Sequence, residues 1–141
     1  MKIYFSCSIT GGRNDQEIYR QLVKFLIDSG HDVPTAHLAD PDVMQEESVI
    51  TPQMVYERDM MWIEKCDALV AEVSTPSHGV GYEIARAIIL EKPVFICYQK
   101  GCKVSKIILG NTYGKFYLCA YANINELTDS ILSFLEKFNG K

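Results

Sequence analysis

Hydrophobic residues follow two different spacings along this chain, and the two spacings alternate. Five apolar runs rich in β-branched and aromatic residues predict buried strands: KIYFSCSI, HDVPTAH, DALVAEV, PVFICY and KFYLCAY. Between strands, apolar residues recur every three or four positions, as in the helical stripe of Ile18, Leu22, Phe25 and Leu26 that stops before Gly30. Such alternation predicts an α/β fold, a five-stranded parallel sheet with helices on both faces.

Two parts of this pattern are less regular than the rest. Pro34, within the second run, cannot donate a backbone hydrogen bond, which predicts that this strand lies near an edge of the sheet. Residues 38–50 are acidic and are expected to form an irregular loop. The helix after them has a clear start, because Thr51 suits the N-cap and Pro52 suits the first helical position.

Composition limits the classes of partner. The 141 residues are 48% apolar and 23% charged, which predicts a single domain over residues 1–141. A net charge of −4 with no basic stretch argues against a nucleic-acid polymer as partner. Five cysteines without CxxC spacing predict reduced thiols and no zinc site, and we expect no cofactor. No apolar run has membrane-spanning length, so we expect a cytoplasmic protein, with the nucleus open if the source is eukaryotic.

Three loops are candidates for a binding site. In a parallel sheet, ligands bind beyond the carboxyl ends of the strands, near the switch in strand order. The loops SITGGR, HLADPD and STPSHGVG follow the first three predicted strands. Topology therefore predicts that they converge on one site.

The GVGYE segment opens a helix after the third predicted strand. It is not a dinucleotide fingerprint, because Ile84 occupies the third glycine position and the first strand does not precede it. Exposed amides at a helix start bind anions, so Ser77 and Gly79 are candidate donors to a phosphate. A plain turn with a serine cap explains the loop equally well.

Two carboxylates are the candidate catalytic groups. Glu83 is placed in the first turn of its helix, where the helix dipole favours an ionised side chain. Asp59 shares an apolar stripe with Trp62, whereas neither Arg58 nor Lys65 lies on its face; a solvated Asp59 remains an alternative. Two carboxylates at one cleft suggest glycosyl transfer, with Glu83 as nucleophile and Asp59 handling protons.

Several segments together resemble one family. YFSCSITGGRNDQEIY, TAHLAD, KVSKII and above all RDMMWIEKCDALVAEVSTPSHGVGYEIARA resemble the 2'-deoxynucleoside 5'-phosphate N-hydrolases of the nucleoside 2-deoxyribosyltransferase superfamily, over residues 3–120. The resemblance implies a flavodoxin-like three-layer sandwich with five parallel strands and a homodimer. Thr10 departs from the arginine common in the family, and the loop over residues 38–50 differs in length, which leaves the choice of nucleotide open.

The resemblance also implies roles for individual residues. Glu83 matches the nucleophile, Asp59 its partner in proton transfer, and Tyr4 the active-site tyrosine of the first strand. The implied substrate-binding residues are Ser8, Ile9 and Gly12 in the first loop, His37 after the second strand, Ser77 and Gly79 at the phosphate, and Ser105, which reaches the neighbouring subunit's site.

The expected reaction is hydrolysis of the N-glycosidic bond of a 2'-deoxynucleoside 5'-monophosphate. It gives free base and 2-deoxyribose 5-phosphate through a covalent glutamyl intermediate. A nucleoside 2-deoxyribosyltransferase that exchanges bases, a nucleotide-binding domain without turnover and a ribonucleotide hydrolase remain alternatives. Exchange without a 5'-phosphate would favour the transferase, and ligand binding without base release would favour the binding domain.

Overall fold

The computed structural model describes residues 1–10 and 15–140. Four parallel strands form its sheet in the order β1-β2-β3-β4: β1 (Ile3–Ser6), β2 (Ala68–Glu72), β3 (Val94–Gln99) and β4 (Phe116–Tyr121). The helices are α1 (Gln16–Asp28), α2 (Val43–Glu47), α3 (Pro52–Lys65), α4 (His78–Ile89), α5 (Lys106–Leu109) and α6 (Ile124–Glu136), with a 3-10 turn over Ala36–Ala39.

Apolar side chains are buried on both faces of the sheet. On one face, α1 and α6 pack through residues such as Leu22 and Ile131. On the other, Ile63 of α3 and Ile84 of α4 pack against the strands. Strands buried on both faces explain the continuous apolar runs of the sequence. The predicted three-layer α/β architecture is confirmed.

The predicted second strand is wrong in extent, so within residues 1–10 and 15–140 the sheet has four strands and not five. In place of the predicted strand, one parallel bridge pairs Lys2 with Asp32 at the outer edge of β1. Pro34 has no N–H to continue the ladder. Phe5 N then donates to the side chain of Thr35 at 2.9 Å, and the chain turns away. The bridge still lies beside β1, where a flavodoxin-like sheet has its second strand.

The segment over residues 38–50 is also more ordered than expected. It contains the end of the 3-10 turn and the short helix α2. Thr51 then caps α3 as predicted, since its side chain accepts a hydrogen bond from Met54 N at 3.2 Å. Among the described residues, no helix combines the length and hydropathy that a bilayer crossing requires.

Candidate active site

A cavity of about 490 Å³ opens at the carboxyl ends of β1 and β2. The loop after β1 contributes Ile9 and Thr10, and the loop after β2 contributes Ser77 and Gly79. Residues from the region of α2 and α3 form the remaining wall. Asp59 and Glu83 both line this cavity. The two candidate carboxylates, which lie on separate helices, therefore share one pocket.

Two hydroxyl groups of β1 hold the carboxylate of Glu83. Tyr4 Oη donates to Glu83 Oε1 at 2.9 Å, and Ser6 Oγ donates to Glu83 Oε2. Tyr4 and Ser6 are two residues apart on a strand, so their side chains leave the same face of the sheet. Because each carboxylate oxygen has its own donor, the orientation of the carboxylate is defined on both sides.

The position of Glu83 in α4 differs from the prediction. Ser77 is the N-cap and the helix begins at His78, which puts Glu83 in the second turn and not the first. At this depth burial has the largest effect on the carboxyl group. It raises the pKa of Glu83 from 4.5 to about 7; Asp59 raises it further, while the hydroxyls of Ser6 and Tyr4 act in the opposite direction. Burial therefore opposes the ionised form of Glu83 that the helix dipole was expected to favour.

Tyr4 remains a hydrogen-bond donor throughout the neutral range. Its side chain is fully buried. Burial, and next the adjacent charge of Glu83, raise the pKa of the Tyr4 phenol well above its ordinary value. A phenol that keeps its proton can donate to a carboxylate but cannot take a proton from it.

Asp59 is paired with Arg58, contrary to the sequence-based expectation. Arg58 Nε donates to Asp59 Oδ1 at 2.9 Å. Consecutive helix positions point about 100° apart, and the long arginine side chain reaches across this angle. Asp59 is only 8% exposed. Burial raises its pKa, and Arg58 offsets part of that effect.

Arg58 connects Asp59 to a second acidic residue in the cavity wall. Its two terminal nitrogens donate to the two carboxylate oxygens of Glu47, at 2.9 and 3.2 Å. The same Glu47 lies 3.0 Å from His37 Nε2. Burial alone would raise the pKa of Glu47, but Arg58 and His37 outweigh burial and the pKa is lowered. Arg58 also lies over the ring of Trp62, 4.9 Å from its centroid.

Two of the predicted binding residues, Ser8 and His37, are not among the residues that line the cavity. Ser8 is fully buried just beyond β1, between two residues that line the cavity. His37 packs its ring on Trp62 and meets Glu47, and it is Glu47 that lines the cavity. Gly12 lies outside the described residues.

Ser77 and Ser105 meet at a second cavity. Ser77 lines the first cavity and caps α4, accepting from Val80 N at 3.4 Å. Ser105 lies in a neighbouring cavity of about 310 Å³, which shares Ser77, His78 and Val80 with the first. The start of α4 therefore separates Ser105 from Glu83 within one chain.

Sequence reasoning missed three residues in the hydrogen-bond network around Glu83 and Asp59, namely Ser6, Glu47 and Arg58. Ser6 could have been found, because the two-residue period of β1 places it on the face of Tyr4. Glu47 and Arg58 had no such signal, since one lies in an irregular segment and the other lies off the apolar stripe of α3. Among residues 1–10 and 15–140, no cluster of three or more His, Cys, Asp or Glu side chains could hold a metal ion.

Comparison with known proteins places the chain in a family. The family model described as nucleoside 2-deoxyribosyltransferase matches residues 3–120. The chain belongs to the nucleoside 2-deoxyribosyltransferase family. The conclusion agrees with the resemblance inferred from the GVGYE block and its neighbours.

Relatives within this family carry more specific names. A Methanosarcina mazei protein provisionally named 2'-deoxynucleoside 5'-phosphate N-hydrolase 1 is 40% identical over 133 residues, or 94% of this chain and 83% of the relative. The 5-hydroxymethyl-dUMP N-hydrolase of Rattus norvegicus is 40% identical over 125 residues, or 85% of this chain and 76% of the relative. The solved structure of a Clostridium botulinum CMP N-glycosidase has a TM-score of 0.72 at 19% identity and covers 95% of this chain and 99% of that one, which supports the fold.

Proposed function

We propose that this protein hydrolyses the N-glycosidic bond of 2'-deoxynucleoside 5'-monophosphates. The observation that carries the proposal is Glu83, a carboxylate held by Tyr4 and Ser6 in a cavity that it shares with Asp59. Relatives about 40% identical are named as N-hydrolases of such nucleotides, which supports the same substrate class here.

In the first step, a carboxylate oxygen of Glu83 attacks C1' of the sugar. The bond from C1' to the base nitrogen breaks as the bond from C1' to oxygen forms. In its protonated form, Asp59 delivers a proton to the departing base. Burial raises the pKa of Asp59, whereas Arg58 acts in the opposite direction. The products of this step are the free base and a deoxyribosyl-phosphate ester of Glu83.

In the second step, water attacks C1' and the bond from C1' to the Glu83 oxygen breaks, which releases 2-deoxyribose 5-phosphate and regenerates the Glu83 carboxylate. Asp59, now ionised, accepts a proton from that water, so both carboxyl groups return to their starting states. A 2'-deoxy sugar suits this chemistry, because no electron-withdrawing 2'-hydroxyl destabilises the positive charge that develops at C1'.

The start of α4 is the proposed phosphate site. Ser77 and Gly79 line the cavity there, and the first amides of a helix have no partners within the helix. Binding energy from the phosphate, remote from the reacting bond, can hold C1' in line with Glu83. This accounts for a preference for nucleotides over nucleosides.

A second copy of the chain completes the proposed enzyme. The outer faces of α3 and α4 carry Tyr56 and Tyr82, which are 55% and 56% exposed and pack edge to face. Ile107, two residues after Ser105, is 80% exposed. Exposed apolar surface of this kind is typical of interfaces. A second subunit would cover this surface. In such a homodimer, Ser105 would serve the neighbouring subunit's site.

Mixing two inactive variants tests this arrangement. If Ser105 acts across the interface, Glu83→Ala and Ser105→Ala subunits should recover activity when they are allowed to exchange. One site of the heterodimer then has both residues intact. Light scattering that finds a monomer at working concentrations, or no recovery despite proven exchange, would exclude the shared site.

Base transfer is the second candidate, because the matching family model is that of a deoxyribosyltransferase. The same ester of Glu83 would then react with a free base in place of water. Labelled free base added to the reaction distinguishes the two. A hydrolase releases deoxyribose 5-phosphate without incorporating the label, whereas a transferase incorporates it into new nucleotide.

The proposal is tested by measuring base release from a panel of deoxynucleotides, ribonucleotides and the matching nucleosides. We expect release from 2'-deoxynucleoside 5'-monophosphates, and none from Glu83→Ala protein whose circular dichroism is unchanged. Asp59→Asn is the matched second variant and should lower kcat. Wild-type-like turnover in the Glu83 variant, or release from no deoxynucleotide, would refute the proposal.

A further inference from the structure

We propose that Ser6 is a positioning residue for the nucleophile: its buried hydroxyl holds Glu83 Oε2, stabilises the ionised form of the carboxylate and thereby sets the lower pH limit of the reaction. The inference rests on the proposed function for its link to turnover. The contact between Ser6 and Glu83 does not depend on that function.

Because Ser6 is buried, its hydrogen bond to Glu83 has a strong effect on the charge of that carboxylate. Its side chain is 0% exposed, at the end of a strand that is buried along its whole length. A hydroxyl buried in this way costs free energy unless it is hydrogen-bonded. Here the hydroxyl of Ser6 donates a hydrogen bond to Glu83 Oε2. A donor that is excluded from water and directed at a carboxylate stabilises the ionised form of that carboxylate.

Ser6 and Tyr4 hold different oxygens of Glu83. Tyr4 donates to Oε1 and Ser6 to Oε2, so rotation of the carboxylate would break both hydrogen bonds. During the reaction one oxygen joins C1' and the other becomes the carbonyl oxygen of the ester. Whichever oxygen reacts, the other keeps a hydroxyl donor, and the geometry of the ester is retained until water arrives.

Other groups also shift the pKa of Glu83, some of them upward and some downward. The charged and titratable groups around it are Tyr4 on β1, Asp59 and Arg58 on α3, Glu47 on α2 and His78 at the start of α4. Burial raises the pKa of Glu83 most strongly, and Ser6 is the first of the hydrogen-bond donors that lower it. Since the pKa is about 7, losing one donor changes the ionised fraction at neutral pH.

The experiment compares Ser6→Ala and Ser6→Cys with wild type. The titration of the Glu83 carboxyl carbon is followed by ¹³C NMR in the ligand-free protein, with Glu83→Gln used for assignment. The same proteins are assayed for kcat/KM above pH 6.5, where the substrate phosphate has largely finished titrating. Cysteine is slightly larger than serine and a much weaker donor. A change shared by Ser6→Ala and Ser6→Cys therefore reflects loss of the hydrogen bond and not loss of volume.

We expect the Ser6→Ala midpoint to rise by about one pH unit, because a hydrogen bond to a charged group is worth about that much. At pH 7 the ionised fraction, and with it kcat/KM, then falls about fivefold, and it recovers by about pH 9. Ser6→Cys should lie between alanine and wild type.

Tyr121→Phe is the matched control. It removes a hydroxyl that donates at 2.9 Å to Glu72, another buried carboxylate of the sheet. The Glu83 midpoint should not move in this variant. Equal NMR midpoints in wild type and both Ser6 variants, or an activity loss of the same size at every pH, would overturn the inference. If wild type releases no base from any nucleotide, the proposed function fails, and the NMR comparison still decides the role of Ser6.

Discussion

Replacing Glu83 with glutamine should stabilise the folded protein at alkaline pH while it abolishes turnover. The amide can keep both contacts, since its oxygen accepts from one hydroxyl and its NH₂ group donates to the other. What is lost is the negative charge. Folding transfers that charge from water into a site where burial opposes it, so its removal should favour the folded state.

The magnitude follows from the pKa of Glu83, which rises from 4.5 to about 7 on folding. A group with a raised folded-state pKa does not oppose folding below the unfolded pKa. Its full cost is present above the folded pKa. Between about pH 5 and pH 8 this difference amounts to about 2.5 kcal/mol, and we expect about 2 kcal/mol because the cavity admits some water.

The assay is urea unfolding of wild type and Glu83→Gln at pH 5, 6.5 and 8. The stability advantage of the variant should grow by about 2 kcal/mol across the series, with unchanged m-values. Glu126→Gln is the control, because a hydrogen bond from Ala122 N and then Lys100 lower the pKa of Glu126 from 4.5. Any stability that this carboxylate contributes is lost only as the pH falls below that value, so the difference between Glu126→Gln and wild type should stay nearly constant from pH 5 to pH 8. An advantage of Glu83→Gln that is the same at pH 5 and pH 8 would refute the reasoning.

Two further substitutions test the walls of the cavity. Ser77→Ala should raise KM for a deoxynucleotide but not for the matching deoxynucleoside, and should cost about 1 kcal/mol of stability through loss of the helix cap; equal effects on both substrates would contradict a phosphate site there. Arg58→Lys keeps the charge but removes the planar guanidinium group that hydrogen-bonds to both Glu47 and Asp59. We therefore expect kcat to fall by up to about 10²-fold while KM changes less. Unchanged kcat would show that Arg58 does not position Asp59.

Local patterns were sufficient for most of the fold. The cap at Thr51 depends on short-range chemistry and lies where the sequence indicated, whereas Ser77 caps α4 earlier than the placement of Glu83 in the first turn implied. The prediction of the edge strand was wrong for a reason that only the three-dimensional structure shows. Pro34 interrupts the ladder, and the side chain of Thr35 takes the amide of Phe5 that a continuing strand would have paired. Strand pairing depends on a partner distant in sequence, so a short apolar run cannot guarantee it.

The candidate site divides in the same way. The parallel α/β order, and with it the approach of Asp59 and Glu83 at the ends of β1 and β2, could be inferred from the chain alone, because periodicity and topology are read directly from the order of residues. The pairing of Asp59 with Arg58, the donation from Ser6 and the raised pKa of Glu83 could not be inferred in this way. Hydrogen bonds and desolvation depend on which atoms meet and how much water they exclude, and that is settled only when the helices pack on the sheet.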